Sequence, residues 1–352
     1  MKRKCLLVLS LLLATNLEMR AKDTEVTASP KAKRISYTVQ KIWDGGMYEA
    51  FTSIEKYKGW YYVAFREGEG HVFDENGKAE GKIRVIRSRD LRKWKSVALL
   101  GQPDRDFRDP KLSITPDGQL LVSIGVSTYV DRQEVAQDLW AAFSTDGLHY
   151  VLRRCSLEGA HTNDWPWHLT WNGDTGYNPD YWWDGEKGGL SLLQTKDGQH
   201  YTPVCELEVP GSPNEASIRF TSDQKMTMVV RRGGGNGNGY WGISEPPYTQ
   251  WEWKEIPLVL GGPDFLFLEG EEKVVLCSRC HHIGDWCTTS IYVGNADGTH
   301  FHQVLVLPSG GDTSYPGLLI ENGELIVSYY ASHEANWRPS IYLARIPLDS
   351  LW

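Results

Sequence analysis

Outside residues 1–21 the sequence has neither a long run of lysine and arginine residues nor a long apolar stretch. Its formal net charge is −8, from 37 Lys and Arg against 45 Asp and Glu. A chain of this charge without basic clusters is not expected to bind nucleic acid or an anionic membrane surface. Without a long apolar segment it is not expected to span a bilayer. These absences exclude two broad classes of partner.

Cysteine is also scarce, and the five cysteines after residue 21 are an odd number, so at least one is unpaired. Two interpretations of the segment Cys277–His281 stay open. It fits the pattern of a haem c attachment site, or Cys280 forms a disulfide with Cys287 across a hairpin. The sequence has no other metal motif, and we expect no cofactor and no bound metal.

The N-terminus has the pattern of an export signal. A basic segment at Lys2, Arg3 and Lys4 precedes an apolar core, Leu6–Ala14, that is too short to cross a membrane. We therefore predict that residues 1–21 are a signal peptide and that the mature protein is periplasmic, surface-bound or secreted. Residues 22–34, rich in lysine and threonine, are expected to form a flexible leader.

A short motif recurs along the chain: a small polar residue, Asp at the third position and an aromatic residue at the seventh. Four copies and a fifth that has lost the aspartate start at residues 88, 144, 195, 244 and 295, about fifty residues apart. A fixed period of this size is typical of propeller blades of four strands. We expect each Asp to bind backbone amides in its turn, which is an architectural role.

Paired β runs joined by polar turns precede these motifs, and a sixth pair follows the last one. The sequence therefore predicts an all-β fold, a six-bladed β-propeller that occupies residues 35–352 as a single domain. Residues 35–43 look like a surplus strand. We expect this strand to join the last blade and close the ring, which removes an exposed edge.

The first residues of each hairpin should line one mouth of the central channel. Those positions hold four carboxylates, an arginine and a phenol: Glu49, Arg108, Asp109, Glu215, Asp264 and Tyr315. If the hairpins superpose, Arg66, Arg231 and Arg279 lie at equivalent strand ends facing that mouth. Converging guanidinium groups form a clamp for a carboxylate.

These motifs resemble the sialidase (neuraminidase) superfamily of six-bladed propellers over most of the chain. Ser314–Leu318 and the hairpin after it resemble the segment that holds the nucleophilic tyrosine. Asn214–Ser217 and Val229–Arg231 resemble the blade with the activating glutamate and an arginine of the carboxylate triad. The resemblance implies Tyr315 as nucleophile, Glu215 as its base and Asp74 as acid/base. Together with the predicted signal peptide, it implies an exported, exo-acting, retaining glycoside hydrolase that removes a terminal acidic sugar.

The chain departs from that family where an arginine normally opens the first blade, because Glu49 stands there. We expect Arg66 to substitute from the other end of the hairpin. His71 is an alternative acid/base to Asp74. Aromatic residues crowd the third blade, and we expect Trp167 and its neighbours to form a partly exposed wall for a glycan.

Other functions stay open. The protein could be a glycan-binding propeller without catalysis, or a glycosidase or lyase for another sugar that uses Glu49, Asp109 or His71. The segment Phe107–Lys111 resembles one in five-bladed invertase-type furanosidases, but the other motifs of those enzymes are missing and six repeats count against them. In each case we expect a monomer whose partner is a glycan.

Overall fold

The structure is a computed structural model that describes residues 35–351 except 160, 162, 282–286 and 335–337. The predicted signal peptide and leader lie outside the described residues. The described residues form 26 strands and one 3₁₀ turn, Leu348–Ser350, and no α-helix occurs among them. The prediction of an all-β fold is confirmed. Across this part of the chain, no helix has the length and apolar character needed to cross a membrane.

Six sheets make six blades, and the strands are numbered along the chain. The N-terminal strand β1 spans Thr38–Trp43. Blade 1 then consists of β2 (Tyr48–Tyr57), β3 (Trp60–Gly68), β4 (Lys82–Ser88) and β5 (Lys95–Leu100). Blade 2 consists of β6 (Asp106–Ile114), β7 (Leu120–Val130), β8 (Gln133–Ser144) and β9 (Val151–Arg154).

Blade 3 differs from the others because its innermost strand is broken in two. It contains β10 (Ser156–Leu157), β11 (Asp164–Pro166), β12 (Thr170–Asn172), β13 (Thr175–Trp183), β14 (Gly188–Thr195) and β15 (His200–Leu207). Both β11 and β12 pair with β13, while β10 pairs with β15 in parallel. The divergent sequence of this region therefore still produces a blade.

The remaining blades return to four strands. Blade 4 has β16 (Pro213–Phe220), β17 (Met226–Arg232), β18 (Asn238–Ser244) and β19 (Glu252–Val259). Blade 5 has β20 (Asp264–Phe267), β21 (Lys273–His281), β22 (Cys287–Asn295) and β23 (His302–Leu307). Blade 6 has β24 (Thr313–Glu321), β25 (Glu324–Ala331) and β26 (Ser340–Pro347), with β1 as its outer strand.

The N-terminal strand closes the ring, as the sequence predicts. Strand β1 runs antiparallel to β26, with Val39 opposite Ala344 and Gln40 opposite Leu343. The last blade is thus built from both ends of the described chain. Its outer edge is covered by β1, and six complete blades result.

The repeated turns hold their shape through aspartate side chains. Asp90 Oδ1 accepts hydrogen bonds from the amides of Arg92 and Lys93, both at 2.9 Å. Asp146 and Asp197 each bind the amides two and three residues further on in the same way. These contacts lie within the turns, which fits the architectural role expected of the motif.

The apolar core lies between adjacent blades. On the inner strands, β-bulges determine which side chains face the channel. Four inner strands each contain a β-bulge, in which two residues oppose one on the next strand. The bulged pairs are Phe51-Thr52, Asp109-Pro110, Asn214-Glu215 and Tyr315-Pro316. Phe51, Asp109 and Tyr315 have φ values of 62°, 48° and 48°. The bulges interrupt the alternation of faces and redirect these side chains.

Candidate active site

A tyrosine from blade 6 and a glutamate from blade 4 meet at the mouth of the channel. The hydroxyl of Tyr315, on β24, donates a hydrogen bond of 2.5 Å to Oε1 of Glu215, on β16. The residues are only 7 % and 6 % exposed. The backbone amide of Gly262 donates to the other oxygen, Oε2, at 2.7 Å. A carboxylate so placed can accept the phenolic proton.

Two arginines flank this pair. Nη1 of Arg231 lies 2.7 Å from Glu215 Oε2 and 3.2 Å from the Tyr315 hydroxyl. The guanidinium carbon of Arg279 lies 5.3 Å from the centre of the Tyr315 ring. Its guanidinium donates no hydrogen bond to another described residue, and its buried Nε has no partner there. Arg279 is therefore a cation beside the tyrosine that forms no direct ion pair with a described carboxylate, although the charge of Glu215 acts on it.

The charges around Tyr315 set its protonation and that of its neighbour. Burial alone would raise the pKa of Glu215, but the charge of Arg231 and the hydrogen bond from Tyr315 hold that pKa below its ordinary value. Burial and the negative charge of Glu215 raise the pKa of Tyr315. The pair thus rests as a neutral phenol beside an ionised carboxylate, which is the state that a general base requires.

Aromatic rings form the floor and side of this site. Phe51, at the bulge of blade 1, packs edge-on against Tyr315 with ring centres 5.0 Å apart. Trp167 packs against the same tyrosine at 5.7 Å and is 2 % exposed. These rings fix the tyrosine in one orientation, so that its hydroxyl stays on Glu215.

Asp109 and Arg108 reach the mouth from blade 2. The carboxylate of Asp109 is half-buried and accepts no hydrogen bond from another described residue. Burial raises the pKa of Asp109 to about 6, although the charge of Arg108 acts in the opposite direction. The Arg108 guanidinium lies 5.3 Å from the centre of the Phe51 ring and donates to Asp106 at 2.8 Å. Both residues lie beside the Tyr315 site, as expected from the sequence.

His71 lies on the other side of Phe51. Its ring packs edge-on against Phe51 and Tyr48, each with centres 5.4 Å apart. Nδ1 of His71 is 2.6 Å from the hydroxyl of Tyr48, which is hydrogen-bonded to Asp312 at 2.5 Å. Burial and the nearby Arg108 lower the pKa of His71 to about 4.

Arg66 does not join the other two arginines of the expected clamp. It is fully buried, and its Nε and Nη2 bind Asp106 Oδ1 at 2.9 and 2.8 Å. The bulges explain the difference. Arg66 pairs with Ala50, one residue outside the bulge of blade 1, and Arg232 pairs with Pro213 at the same place in blade 4. Arg66 is therefore equivalent to Arg232. Arg231 lies opposite its bulge. The expected equivalence of Arg66 and Arg231 was wrong by one residue, which reverses the face of a strand.

Glu49 likewise faces away from Tyr315. Its Oε1 accepts a hydrogen bond from the amide of Gly45 at 2.5 Å, next to Trp43 and Glu67. Burial raises the pKa of Glu49 to about 7. The bulge places Phe51 rather than Glu49 at the mouth. Glu49 therefore does not point to the place where an arginine of the sialidase superfamily would bind the substrate carboxylate.

Asp264 lies below the mouth, where it binds Nη2 of Arg219 at 2.5 Å. Both residues line a cavity of about 510 Å³ in the channel. Lys111 and Pro316–Ile320 also line it, and these follow Asp109 and Tyr315 in their strands. The cavity is therefore deeper in the channel than the tyrosine, and Asp264 is part of its wall.

Asp74 lies in a turn between β3 and β4. Its Oδ1 accepts hydrogen bonds from the amides of Asn76 and Lys78 at 2.9 and 2.7 Å. These bonds lower the pKa of Asp74. Among the described residues no hydrogen bond or ion pair connects Asp74 to the Tyr315 site. Its carboxylate stabilises the turn by binding the backbone amides.

The aromatic residues of blade 3 are mostly internal. Trp165, Trp167 and Trp182 are at most 8 % exposed, and of the large apolar side chains in this blade Trp183 is prominent at the surface, 49 % exposed. Lys111 covers the Trp167 ring, with Nζ 4.6 Å from its centre. The expected exposed wall is therefore largely blade core.

The cysteines of β21 are separated by the alternation of the strand. Cys277 packs between blades 5 and 6, whereas Cys280 packs between blades 4 and 5. Cys280 is a free thiol that contacts the Tyr292 hydroxyl. It pairs with Thr288, so Cys287, opposite His281, points to the other face. The described structure therefore supports neither interpretation: Cys277 and Cys280 lie on opposite faces of the strand and are not placed to hold one haem, and Cys280 forms no disulfide with Cys287.

Several residues of the site were not predicted from the sequence. Phe51 and the Tyr48–Asp312 contact carry no motif, because bulge positions and contacts between blades 1 and 6 do not follow from local patterns. Tyr330 binds the same aspartate, with its hydroxyl 3.0 Å from Asp312 Oδ1. The one available signal was the position of Asp312, three residues before Tyr315.

Comparison with known proteins gives likeness in structure alone. No protein-family model and no curated protein sequence matches the chain. A protein of unknown function from Dyadobacter fermentans has a TM-score of 0.75 at 18 % identity, over 88 % of this chain and 99 % of that one. The phage phi92 endosialidase has a TM-score of 0.70 at 10 % identity, over 89 % and 69 %.

A third similar structure is the α-L-arabinanase of Penicillium chrysogenum in complex with arabinobiose. Its TM-score is 0.69 at 12 % identity, over 90 % of this chain and 99 % of the arabinanase. At these identities the likeness establishes the fold. The chain is a six-bladed β-propeller of the sialidase type.

Proposed function

We propose that the protein is an exported, exo-acting and retaining glycoside hydrolase that removes a terminal sugar bearing a carboxylate from glycans. The observation that carries the proposal is the 2.5 Å hydrogen bond from Tyr315 to Glu215, with Arg231 touching both residues. Similar folds in an endosialidase and an arabinanase support action on glycans.

Tyr315 would attack the anomeric carbon while Glu215 takes its proton. A phenol is a weak nucleophile near neutrality and needs such a base. A neutral nucleophile also avoids the repulsion that a carboxylate nucleophile would exert on an anionic substrate. A covalent glycosyl-tyrosine then forms, and its hydrolysis gives retention of configuration.

The substrate carboxylate would bind at Arg279 and Arg231. Arg279 forms no direct ion pair with a described carboxylate, and a half-buried cation gains from an anion delivered by the ligand. Arg231 is shared with Glu215 and contributes its remaining N–H groups. Arg108 and Asp109 lie at the same mouth and would contact sugar hydroxyls.

The test is release of monosaccharide from a panel of glycans and aryl glycosides, detected by mass, with wild type and Tyr315→Phe. We expect the variant to lose about 10³-fold or more in kcat while it still binds substrate. Tyr329→Phe is the matched control, because that buried hydroxyl has no described hydrogen-bond partner. Equal turnover by wild type and Tyr315→Phe would reject the tyrosine mechanism.

A further inference from the structure

His71 is held by a chain of hydrogen bonds that spans two blades. The chain runs from His71 Nδ1 to the Tyr48 hydroxyl at 2.6 Å, and from that hydroxyl to Asp312 Oδ2 at 2.5 Å. Tyr330 donates to the other oxygen of Asp312 at 3.0 Å. The aspartate is thus fixed by two phenols, and the imidazole is oriented through one of them.

This chain determines which nitrogen of His71 is available. Burial and the charge of Asp312 raise the pKa of Tyr48, so its phenol stays protonated. The single phenolic proton is donated to the Asp312 carboxylate, and the Tyr48 oxygen must accept from Nδ1–H of His71. Nε2 is then the nitrogen left to exchange a proton, as in other histidines oriented by a carboxylate.

The position of His71 suits proton transfer to a substrate at Tyr315. Both rings pack edge-on against Phe51, with centres 5.4 and 5.0 Å from it, so they border the same floor. His71 is exposed overall, although its Nδ1 edge is enclosed against Tyr48 and Phe51, which is the burial that lowers its pKa. Asp74, in contrast, is engaged by the amides of its own turn.

We propose that His71 is the acid/base of the hydrolase and that Tyr48 and Asp312 position it. This inference rests on the proposed function. In the first step Nε2–H of protonated His71 gives its proton to the glycosidic oxygen as the bond from that oxygen to the anomeric carbon breaks. The Tyr315 oxygen bonds to the anomeric carbon, and its proton passes to Glu215.

The second step reverses these transfers. Neutral His71 accepts a proton at Nε2 from a water molecule whose oxygen bonds to the anomeric carbon. The bond between that carbon and Tyr315 breaks, and Glu215 returns its proton to the phenolate. Imidazolium and imidazole are each restored once per cycle, so the step balances without a co-reactant.

The charged groups around His71 predict the pH at which it acts. Burial lowers the pKa of His71 to about 4, Arg108, Arg66 and Arg279 act in the same direction, and Asp312 opposes them. The acid form is needed for the first step, so kcat/KM should fall as the pH rises above about 4. A bound substrate carboxylate offsets the arginine charges, so the corresponding limb of kcat should lie at higher pH.

The experiment compares His71→Asn with wild type on two sialosides, one with a 4-nitrophenyl leaving group and one with a sugar leaving group. A good leaving group needs little proton donation. We therefore expect a loss of about 10²-fold to 10⁴-fold with the sugar leaving group and a much smaller loss in the first step with 4-nitrophenyl. Azide should restore turnover of the 4-nitrophenyl substrate by replacing the activated water.

Two carboxylate variants serve as controls, because Asp74 and Asp109 are the competing acids. In Asp74→Asn and Asp109→Asn, we do not expect to see both effects at once: a loss of activity that depends on the leaving group, and rescue by azide. Tyr48→Phe should keep some activity but shift the limb of the pH profile of kcat/KM that is assigned to His71. A purely structural role of Tyr48 would not shift that limb.

The outcomes separate the two proposals. If wild type cleaves neither sialoside nor any other carboxylate-bearing glycoside, the proposed function fails and the role of His71 fails with it. If wild type cleaves them and the signature belongs to Asp74→Asn or Asp109→Asn, the function stands and the assignment of His71 is overturned. Equal losses with both leaving groups in His71→Asn would also overturn it.

Discussion

Arg279 lies beside Tyr315 and forms no ion pair or hydrogen bond with a described carboxylate, although the charge of Glu215 acts on it from a distance. Its guanidinium lies against the Tyr315 ring, while the neighbouring Arg231 is paired with Glu215. A cation placed beside a nucleophile and not directly ion-paired by the protein selects an anionic substrate. Arg66, the other expected member of the clamp, is committed to Asp106.

Replacement of Arg279 by Met should therefore weaken substrates that carry a carboxylate. We expect KM to rise about 10-fold to 100-fold, the worth of one charge-assisted contact, with a smaller change in kcat. Steady-state kinetics on a carboxylate-bearing glycoside and its neutral amide would measure this. Arg345→Met, which removes the ion pair between Arg345 on β26 and Glu324 on β25, is the control. Equal losses on the acid and the amide would contradict a clamp.

At the scale of the element, the inner β-bulges matter most. They bring Phe51, Asp109, Glu215 and Tyr315 to the mouth from four blades. The loop before β20 completes the site, because the amide of Gly262 binds Glu215. Gly262 has φ +55°, and a Cβ there would lie 2.6 Å from Cγ of Tyr315.

Gly262→Ala should displace Tyr315, the proposed nucleophile, more than it destabilises the fold. We expect kcat to fall at least about 10²-fold, because misplacement near 1 Å has effects of that size. The melting temperature should change much as in Gly270→Ala, where φ is +81° and a Cβ meets nothing within 4 Å. Thermal unfolding and kinetics of both variants provide the measurement. Full activity in Gly262→Ala would show that the tyrosine position is not constrained there.

The bulges also show where sequence reasoning ends. The pairing of Tyr315 with Glu215 was predicted, because the residues at hairpin starts and the family resemblance agree on both. Arg66 and Glu49 were misplaced, because a bulge adds one residue and reverses the faces beyond it. Nothing in the pattern of β-branched and aromatic residues marks that insertion.

At the scale of the whole molecule, the period of the turn motif predicted a propeller, the six hairpins predicted six blades, and the surplus run at residues 35–43 predicted the closing strand. The motif recurs because each blade must bury its faces against two neighbours, so a sequence repeat reports the architecture directly. Contacts between distant blades, such as Tyr48 with Asp312, depend on three-dimensional placement. They could not be predicted from a single sequence.

Removal of β1 should destabilise the ring as a unit. A chain that begins after Trp43 loses the pairing of β1 with β26 and exposes the edge of β26. We expect the melting temperature to fall by roughly 5 °C or more, with aggregation on heating. A chain that begins at Ile35 is the control, since it keeps the strand. Equal melting temperatures for the two truncations would contradict closure by β1.

The central claim is that Tyr315 forms a covalent bond to an acidic sugar. A fluorinated sialosyl fluoride, which slows hydrolysis of the glycosyl-enzyme, followed by proteolysis and mass spectrometry, tests it most directly. We expect one added glycosyl group per protein, located on the peptide that contains Tyr315 and absent in Tyr315→Phe. An adduct on another residue such as Asp109, or turnover of sialosides without any adduct, would contradict it.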